Sequence, residues 1–305
     1  MTTTATSPET RRCERDQLVA GLTSQYHIGR CLGEPGAFGS VFSVQDRITG
    51  EKFAAKILKI PAVDSPHYDV LMNLYRKEVD ILGSLNHTSI VRLERVIRSA
   101  SHIYLVMERC MGGDLFDYIG ERGGRLPERE AAIIFRQVLD PVVYLHEVAG
   151  VAHCDIKLSN IMFTKPKSCH DIKLIDFGLS SRCQAGAVLT GRTGTTAFMA
   201  PEQIKQRYGM QVDLWSLGVV LYIMLFGYSP WDPYCTSDNR TIESVVLRGF
   251  RNDTMPGHGP WFPKSIPASD LAKDLIHKLM RYNPDHRISA SDAMDHPWIA
   301  LHVPS

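Results

Sequence analysis

Two groups of residues near the start of the chain have the side chains and spacing needed to hold a phosphate. The segment 32–42, LGEPGAFGSVF, places three glycines between strand-like stretches, where backbone N–H groups can approach phosphate oxygens closely. A glycine-rich turn without a ligand is equally common, so this segment is not decisive alone. Fifteen residues after Val41, Lys56 lies near the end of the next predicted strand, within reach of a phosphate or of Glu78.

Glu78 lies on the apolar face of a helix predicted over 67–85. The apolar stripe of this helix contains Leu71, Leu74, Leu82 and Leu85. A carboxylate in such a stripe is costly unless a cation meets it, so the pattern predicts a basic partner from the neighbouring sheet, and Lys56 can be that partner. The alternative is that Glu78 lies at the edge of the stripe and reaches water.

The segments HCDIKLSNIMF (153–163) and DIKLIDFGLS (171–180) identify the chemistry. A single loop aspartate most often caps a turn. Here the acidic, basic and amide residues follow the glycine-rich segment, Lys56 and Glu78 in a fixed order. This order and spacing resemble the eukaryotic serine/threonine protein kinase family, over about residues 26–300.

The resemblance implies transfer of the γ-phosphoryl group of Mg-ATP to Ser or Thr hydroxyls of protein substrates. By that resemblance Asp155 orients the acceptor hydroxyl and takes its proton, and Lys157 steadies the γ-phosphate. Thr195 contacts Asp155. Asn160 and Asp176 hold the magnesium ions.

The resemblance also assigns residues to ATP binding. Leu32 and Ala54 make apolar contacts with the two faces of the adenine base, and Met107 is the gatekeeper residue. Asp114 is positioned for the ribose. Backbone groups of Glu108 and Cys110 meet the adenine edge. The complete set of ATP-binding residues is Leu32, Gly33, Gly36, Gly39, Val41, Ala54, Lys56, Glu78, Glu108, Cys110 and Asp114.

Other motifs resemble the scaffold of the family. GTTAFMAPE (194–202) resembles the end of the activation loop, which implies that Glu202 pairs with Arg287 and that Asp213 anchors the catalytic loop. The lysine of HCDIK and the pair Gly194-Thr195 are typical of serine/threonine kinases. GGDLFDYI (112–119) and the closing HPWI resemble the calcium/calmodulin-dependent kinase group.

The strand-like and helical segments that contain these residues, together with the family resemblance, predict an α+β, bilobal protein kinase fold. A small β-rich N-lobe with one key helix covers about 25–108, and a larger, mainly helical C-lobe covers about 112–299. Together they form a kinase domain over 25–299. Residues 1–24 are predicted to be a flexible tail and 300–305 a short C-terminal end.

Two positions depart from the family pattern. The segment Gly33 to Gly39 is one residue longer than usual and contains Pro35, which lacks a backbone donor. Cys154 stands where most members carry the arginine that binds an activation-loop phosphate. Cysteine cannot pair with a phosphate dianion, so we expect activity without that phosphate or regulation by a protein partner.

Composition excludes several other classes. The formal charge of +1, from 34 basic and 33 acidic residues, indicates no nucleic-acid partner. The apolar run Leu214–Tyr228 is too short to span a bilayer and predicts a buried core helix, not a membrane insertion. Seven scattered cysteines favour free thiols in a reducing compartment, so we expect a soluble intracellular monomer, cytoplasmic or nuclear.

Two other functions remain as alternatives. The first is a pseudokinase scaffold that binds nucleotide without transferring phosphate, which the unusual glycine-rich segment and Cys154 would favour. The second is a small-molecule kinase of similar fold. The complete segment through Ala200-Pro201-Glu202 argues against the second, because this peptide-binding platform is typical of protein kinases.

Overall fold

The computed structural model describes residues 22–33, 39–184, 186–232, 237–249 and 262–303. The chain divides into two compact units. The first takes the residues up to Ser84 together with Val91–Arg109, and the second takes Leu85–Ile90 and the residues from Cys110 onward. The first is a sheet with one helix and the second is mainly helical, which confirms the predicted α+β class.

The first unit is a five-stranded antiparallel sheet with a helix packed on it. Its strands are β1 (Tyr26–Cys31), β2 (Ser40–Asp46), β3 (Lys52–Lys59), β4 (Leu93–Arg98) and β5 (His102–Glu108). Their spatial order is β1-β2-β3-β5-β4. The helix, α1, spans Tyr68–Ser84.

Strand β3 contributes side chains to two apolar clusters, because successive residues of a strand point to opposite faces. Ala55 and Ile57 belong to one cluster. Leu58 belongs to the other, in which Met72 of α1 also packs. Lys56 alternates with Ala55 and Ile57, so β3 directs it to the face that carries the helix.

The buried stripe of α1 matches the predicted one at Glu78 and Leu82 and differs from it at the other positions. Its buried side chains are Met72, Tyr75, Glu78, Ile81 and Leu82. Leu71 and Leu74 are only half-buried. Both stripes fit a helical period, and packing against the sheet selects the one rotated by about one position. Glu78 lies inside the buried stripe and not at its edge.

The second unit contains helices of very different lengths. They are α2 (Leu115–Glu121), α3 (Glu128–Val143), α4 (Pro201–Ile204), α5 (Val212–Phe226), α6 (Asn239–Arg248), α7 (Asp270–Leu279), α8 (Ala290–Met294) and α9 (Pro297–His302). Short 3₁₀ turns span Leu158–Asn160, Thr196–Phe198 and Pro284–His286, and a π-helical turn spans Tyr144–Ala149.

Six short strands in the described part of this unit form three antiparallel pairs. They are β6 (Val151–Ala152), β7 (Ile161–Phe163), β8 (Ile172–Leu174), β9 (Ser181–Arg182), β10 (Leu189–Thr190) and β11 (Arg207–Tyr208). The pairs are β6 with β9, β7 with β8, and β10 with β11. They fix the loops that carry the predicted catalytic residues.

Helix α5 is the buried core helix predicted from the apolar run 214–228. Every residue of α5 except Ile223 is buried, and the helix ends at Gly227 with φ of 85°. Within the described ranges no helix is both long enough and apolar enough to cross a bilayer. Asp213, in the first turn of α5, is therefore a carboxylate inside the core.

A second inward-facing carboxylate, that of Glu128, joins three helices. Glu128 begins α3 and accepts hydrogen bonds from the Ser269 N–H (2.6 Å), the Ser269 hydroxyl (2.7 Å) and the Trp298 indole N–H (2.8 Å). Burial alone would raise the pKa of Glu128, but these hydrogen bonds hold it below its ordinary value. The charged form is thus stabilised by the fold.

Candidate active site

The glycine-rich segment is described at its two ends. Gly33 has φ of 77° and Gly39 has φ of 129°, both in the region that favours glycine. A Cβ at Gly39 would lie 2.2 Å from the Ile57 carbonyl oxygen, so β2 can approach β3 here only with glycine. The predicted ATP-binding residue Gly36, together with Pro35 and Phe38, lies outside the described residues.

Lys56 and Glu78 form a buried ion pair. The Lys56 ammonium lies 2.6 Å from Glu78 Oε1, and the two residues are 7% and 4% exposed. Strand β3 supplies the lysine and helix α1 the carboxylate. This is the basic partner that the apolar stripe of α1 requires, because a carboxylate without a cation is costly in the core.

The predicted base-contacting residues of the first unit lie on adjacent strands. Ala54 of β3 pairs with Met107 of β5, and Val41 of β2 pairs with Lys56. The Leu32 N–H donates to the Val41 carbonyl at 2.7 Å. Ala54 and Met107 thus lie on adjacent strands, and Leu32, which follows β1, is bonded to β2 of the same sheet.

Asp114 of the second unit is held by its own helix and by β7. Its carboxylate accepts the Asp117 N–H at 2.9 Å and caps α2. Its backbone forms an antiparallel bridge with Met162 of β7. Nearby, the Gly112 N–H donates to the Phe163 carbonyl at 2.8 Å, and a Cβ at Gly112 would lie 2.3 Å from the Lys165 carbonyl oxygen. Burial raises the pKa of Asp114 above its ordinary value.

Asp155 is the centre of a dense hydrogen-bond network. Its Oδ1 accepts both the N–H and the hydroxyl of Thr195, each at 2.8 Å. Its Oδ2 accepts the Lys157 ammonium at 2.8 Å and the Asn160 amide at 3.3 Å. The Lys157 ammonium also lies 3.0 Å from the Thr195 hydroxyl. The structure therefore brings all four predicted residues together.

Asp213 supports this loop from the core. It is fully buried, and its carboxylate accepts the His153 and Cys154 N–H groups at 2.8 Å each. His146, in the π-helical turn, lies 2.9 Å from the same carboxylate. These bonds hold Cys154 at φ of 66°, which a residue with a side chain adopts at some cost.

The second predicted metal ligand lies next to the catalytic loop. The Ile175 N–H donates to the Asn160 carbonyl at 2.9 Å, and Asp176 follows with φ of 61°. The Asn160 side-chain nitrogen is used on Asp155, so the side-chain oxygen is the atom that Asn160 can offer a cation. An amide oxygen and the Asp176 carboxylate are oxygen donors of the type that magnesium prefers.

Glu202 and Arg287 form a second buried ion pair, as the family pattern predicts. The Arg287 nitrogens Nη1 and Nη2 lie 2.6 and 3.2 Å from the two Glu202 oxygens. Arg287 also donates to the Gln211 and Arg281 carbonyls. This pair holds α4 against the segment that follows α7.

Two polar residues of this region carry no signal in the sequence pattern. Gln203 is buried and bonds to the backbone beside Asp155, and Tyr208 bonds to Thr193. Neither residue belongs to a recognisable motif. Only the three-dimensional contacts reveal them.

The sequence matches known proteins over nearly its whole length. The family profile described as "Protein kinase domain" matches residues 26–299. Two relatives, each named calcium/calmodulin-dependent protein kinase type 1B, come from Rattus norvegicus and Mus musculus. Each is 36% identical over 280 residues, which is 92% of this chain and 76% of the relative.

Proposed function

The chain belongs to the protein kinase family and is a serine/threonine kinase similar to the calcium/calmodulin-dependent group, and on this premise we propose that it is an active enzyme. It transfers the γ-phosphoryl group of Mg-ATP to Ser or Thr hydroxyls of protein substrates. The observation that carries the proposal is the Asp155 carboxylate, to which Lys157, Asn160 and Thr195 all donate. Phosphoryl transfer depends mainly on positioning and charge, and this network supplies both.

The Asp155 carboxylate accepts a hydrogen bond from the Ser or Thr hydroxyl of the substrate. Its Oδ1 is bonded to Thr195 and its Oδ2 to Lys157 and Asn160. The Lys157 side chain, 24% exposed, is the donor that can turn away toward the γ-phosphate. The hydroxyl then donates to Oδ2. Its oxygen attacks the γ-phosphorus, the bond to the β-phosphate oxygen breaks, ADP leaves, and Asp155 takes the proton.

We retain the ATP-binding assignments that the family resemblance implies, for each unit by itself. In the first unit they are Leu32, Gly33, Gly36, Gly39, Val41, Ala54, Lys56, Glu78 and Glu108, and in the second Cys110 and Asp114. Lys56 donates to a phosphate oxygen while Glu78 orients it, which the 2.6 Å ion pair supports. The Glu108 N–H donates to the Arg92 carbonyl at 3.0 Å. We therefore assign the adenine contact to the carbonyl oxygen of Glu108.

Asn160 and Asp176 hold magnesium in this proposal. The metal, when bound, neutralises charge on the phosphates. Asn160 serves through its side-chain oxygen, because its nitrogen is bonded to Asp155. The hydrogen bond therefore links the metal ligand Asn160 directly to Asp155, which accepts the hydroxyl of the substrate.

Cys154 suggests that activation does not use a phosphate on the activation loop. Cysteine lacks the cation that such a phosphate needs. We propose that the chain is active without it or is regulated by a protein partner. Treatment with a phosphatase tests this hypothesis. Loss of activity, restored by a single phosphate at Thr190 or Thr193, would refute it.

The proposed function is tested by transfer of labelled phosphate. The chain is incubated with γ-labelled ATP and a set of peptides that differ only in carrying Ser, Thr, Tyr or Ala at one position. We expect label on the Ser and Thr peptides, and none without magnesium. Label on Tyr alone would contradict the proposal. A folded chain that binds ATP but labels no peptide would favour the pseudokinase scaffold instead.

A further inference from the structure

Gln203 is a buried amide whose polar groups are all bonded to backbone. It is 1% exposed and lies in α4 directly after Glu202. Its nitrogen donates to the Cys154 carbonyl at 2.9 Å and to the Thr193 carbonyl at 3.0 Å. Its oxygen accepts the Ala200 N–H at 3.4 Å. Both N–H groups and the oxygen of the amide are therefore used.

The two carbonyls that Gln203 joins belong to two functional segments. Cys154 directly precedes Asp155, and Thr193 lies two residues before Thr195, which donates twice to Asp155. Gln203 therefore links the backbone next to Asp155 to the backbone next to Thr195.

Gly194 shows how closely these segments approach. It has φ of 98°, and a Cβ there would lie 2.8 Å from the Cys154 carbonyl oxygen and 2.9 Å from the Gln203 nitrogen. A side chain at this position would separate the segments that Gln203 joins. The bridge therefore depends on the glycine beside it.

Tyr208 holds Thr193 from another direction. The two hydroxyl oxygens are 2.6 Å apart, and β10 pairs with β11 through Leu189 with Tyr208 and Thr190 with Arg207. A phenol is protonated at neutral pH, and either hydroxyl can be the donor in this pair. Every one of these contacts is made by an uncharged group.

We propose that Gln203 is a positioning residue that holds residues 193–195 against the catalytic loop through neutral hydrogen bonds, with Tyr208 assisting at Thr193. The inference deepens the proposed function, on which its catalytic consequence rests. It explains how Thr195 reaches Asp155 when Cys154 offers no cation for a phosphate. A phosphate on Thr193 would add a charged group to contacts that are otherwise made by uncharged groups.

The test compares Gln203→Met with Gln137→Met in chain treated with phosphatase. Gln137 is a matched control, because its amide also donates to two carbonyls, those of Ile133 (3.0 Å) and Cys169 (2.8 Å), outside the catalytic loop. The first readout is hydrogen–deuterium exchange of amides in 193–200. The second is kcat, together with KM for peptide and for ATP.

We expect Gln203→Met to speed exchange in 193–200 and to lower kcat by about tenfold, as the loss of about 1.4 kcal/mol would do. KM for ATP should not change, and Gln137→Met should match the wild type in this segment. Unchanged protection of 193–200 in Gln203→Met overturns the inference. Equal loss of protection throughout the chain also overturns it, because that result indicates general destabilisation.

A second variant and a readout that does not depend on activity allow the inference to be tested if Gln203→Met does not fold or if the wild type is inactive. If Gln203→Met does not fold, Tyr208→Phe replaces it, since it removes only the hydroxyl bonded to Thr193. We expect faster exchange of 189–195, and unchanged exchange overturns the inference. If the wild type transfers no phosphate, the proposed function fails, but exchange still decides whether Gln203 positions the segment.

Discussion

Two buried ion pairs, one in each unit, use their cations differently. Arg287 donates all five of its N–H groups, to Glu202 and to the Gln211 and Arg281 carbonyls. Lys56 presents a compact ammonium on a flexible stem, 2.6 Å from Glu78. A planar guanidinium with every donor used is fixed in the scaffold, whereas an ammonium can be shared with a phosphate.

We therefore expect the Glu202–Arg287 pair to support the fold and propose that the Lys56–Glu78 pair supports the reaction. Both are costly to break, because removing one partner leaves a buried charge. The distinction lies in what else is lost. Loss of Lys56 should affect transfer in each folded molecule, and loss of Arg287 should affect how many molecules are folded.

Lys56→Met should have the largest effect of the substitutions at these pairs. We expect kcat/KM per folded molecule to fall about 100-fold or more, since a donor to developing phosphate charge is removed. Steady-state transfer to a Ser peptide measures this. Lys59→Met is the matched control, because Lys59 lies on the same strand but is exposed. Wild-type kcat/KM in Lys56→Met would contradict the assignment.

Glu78→Gln should have a smaller effect through the same lysine. It keeps the shape of the side chain but removes the charge that orients Lys56, so we expect KM for ATP to rise about tenfold. In the double variant with Lys56→Met, activity should equal that of Lys56→Met alone. Additive losses would show that Glu78 acts independently of Lys56.

Arg287→Lys should lower stability and leave transfer per folded molecule nearly unchanged, which is the opposite of the result expected for Lys56→Met. A lysine cannot reproduce five donors in a planar fork, so we expect the free energy of unfolding to fall by about 2–4 kcal/mol. Transfer per folded molecule should stay close to that of the wild type. Urea denaturation measures the stability, with Arg281→Lys as the control, because Arg281 is exposed. A large loss of kcat without a loss of stability would reverse the comparison.

Glu128→Gln extends the comparison to a carboxylate held by hydrogen bonds from Ser269 and Trp298, with His302 Nε2 at 3.5 Å. The pKa of Glu128 is lowered in the folded chain, so its stabilisation is present above its ordinary value of 4.5 and is lost as pH falls through the folded value. We expect a loss of about 1–2 kcal/mol at pH 7 that shrinks as the pH falls below 4.5.

Urea denaturation at several pH values measures this difference. Glu121→Gln is the control, because Glu121 is exposed at the end of α2. A loss for Glu128→Gln that is the same at every pH would contradict the account, since it would not depend on the charge.

The sequence allowed the fold class and the Lys56–Glu78 pair to be predicted, because both follow from local signals. Strand-like and helical periods separate the two units, and a carboxylate in an apolar stripe requires a cation. The choice of stripe on α1 could not be predicted from the period. Leu71 and Met72 both fit it, and only packing on the sheet selects Met72.

Other contacts could not be predicted because they join distant parts of the chain. Glu128 bonds to partners 141 and 170 residues away, and nothing local marks it as an anchor. Gln203 reaches a carbonyl 49 residues before it. A glutamine beside a motif is ordinarily exposed, so its burial depends on the tertiary arrangement alone.

The most direct test of the central claim compares Asp155→Asn with the wild type at saturating Mg-ATP and Ser peptide. Asp270→Asn is the matched control, because the Asp270 side chain is fully exposed. We expect Asp155→Asn to lower kcat by about 100-fold to 10,000-fold, because the group that takes the hydroxyl proton in the proposed reaction is lost. ATP affinity should be unchanged. Transfer by Asp155→Asn at the wild-type rate would contradict the account.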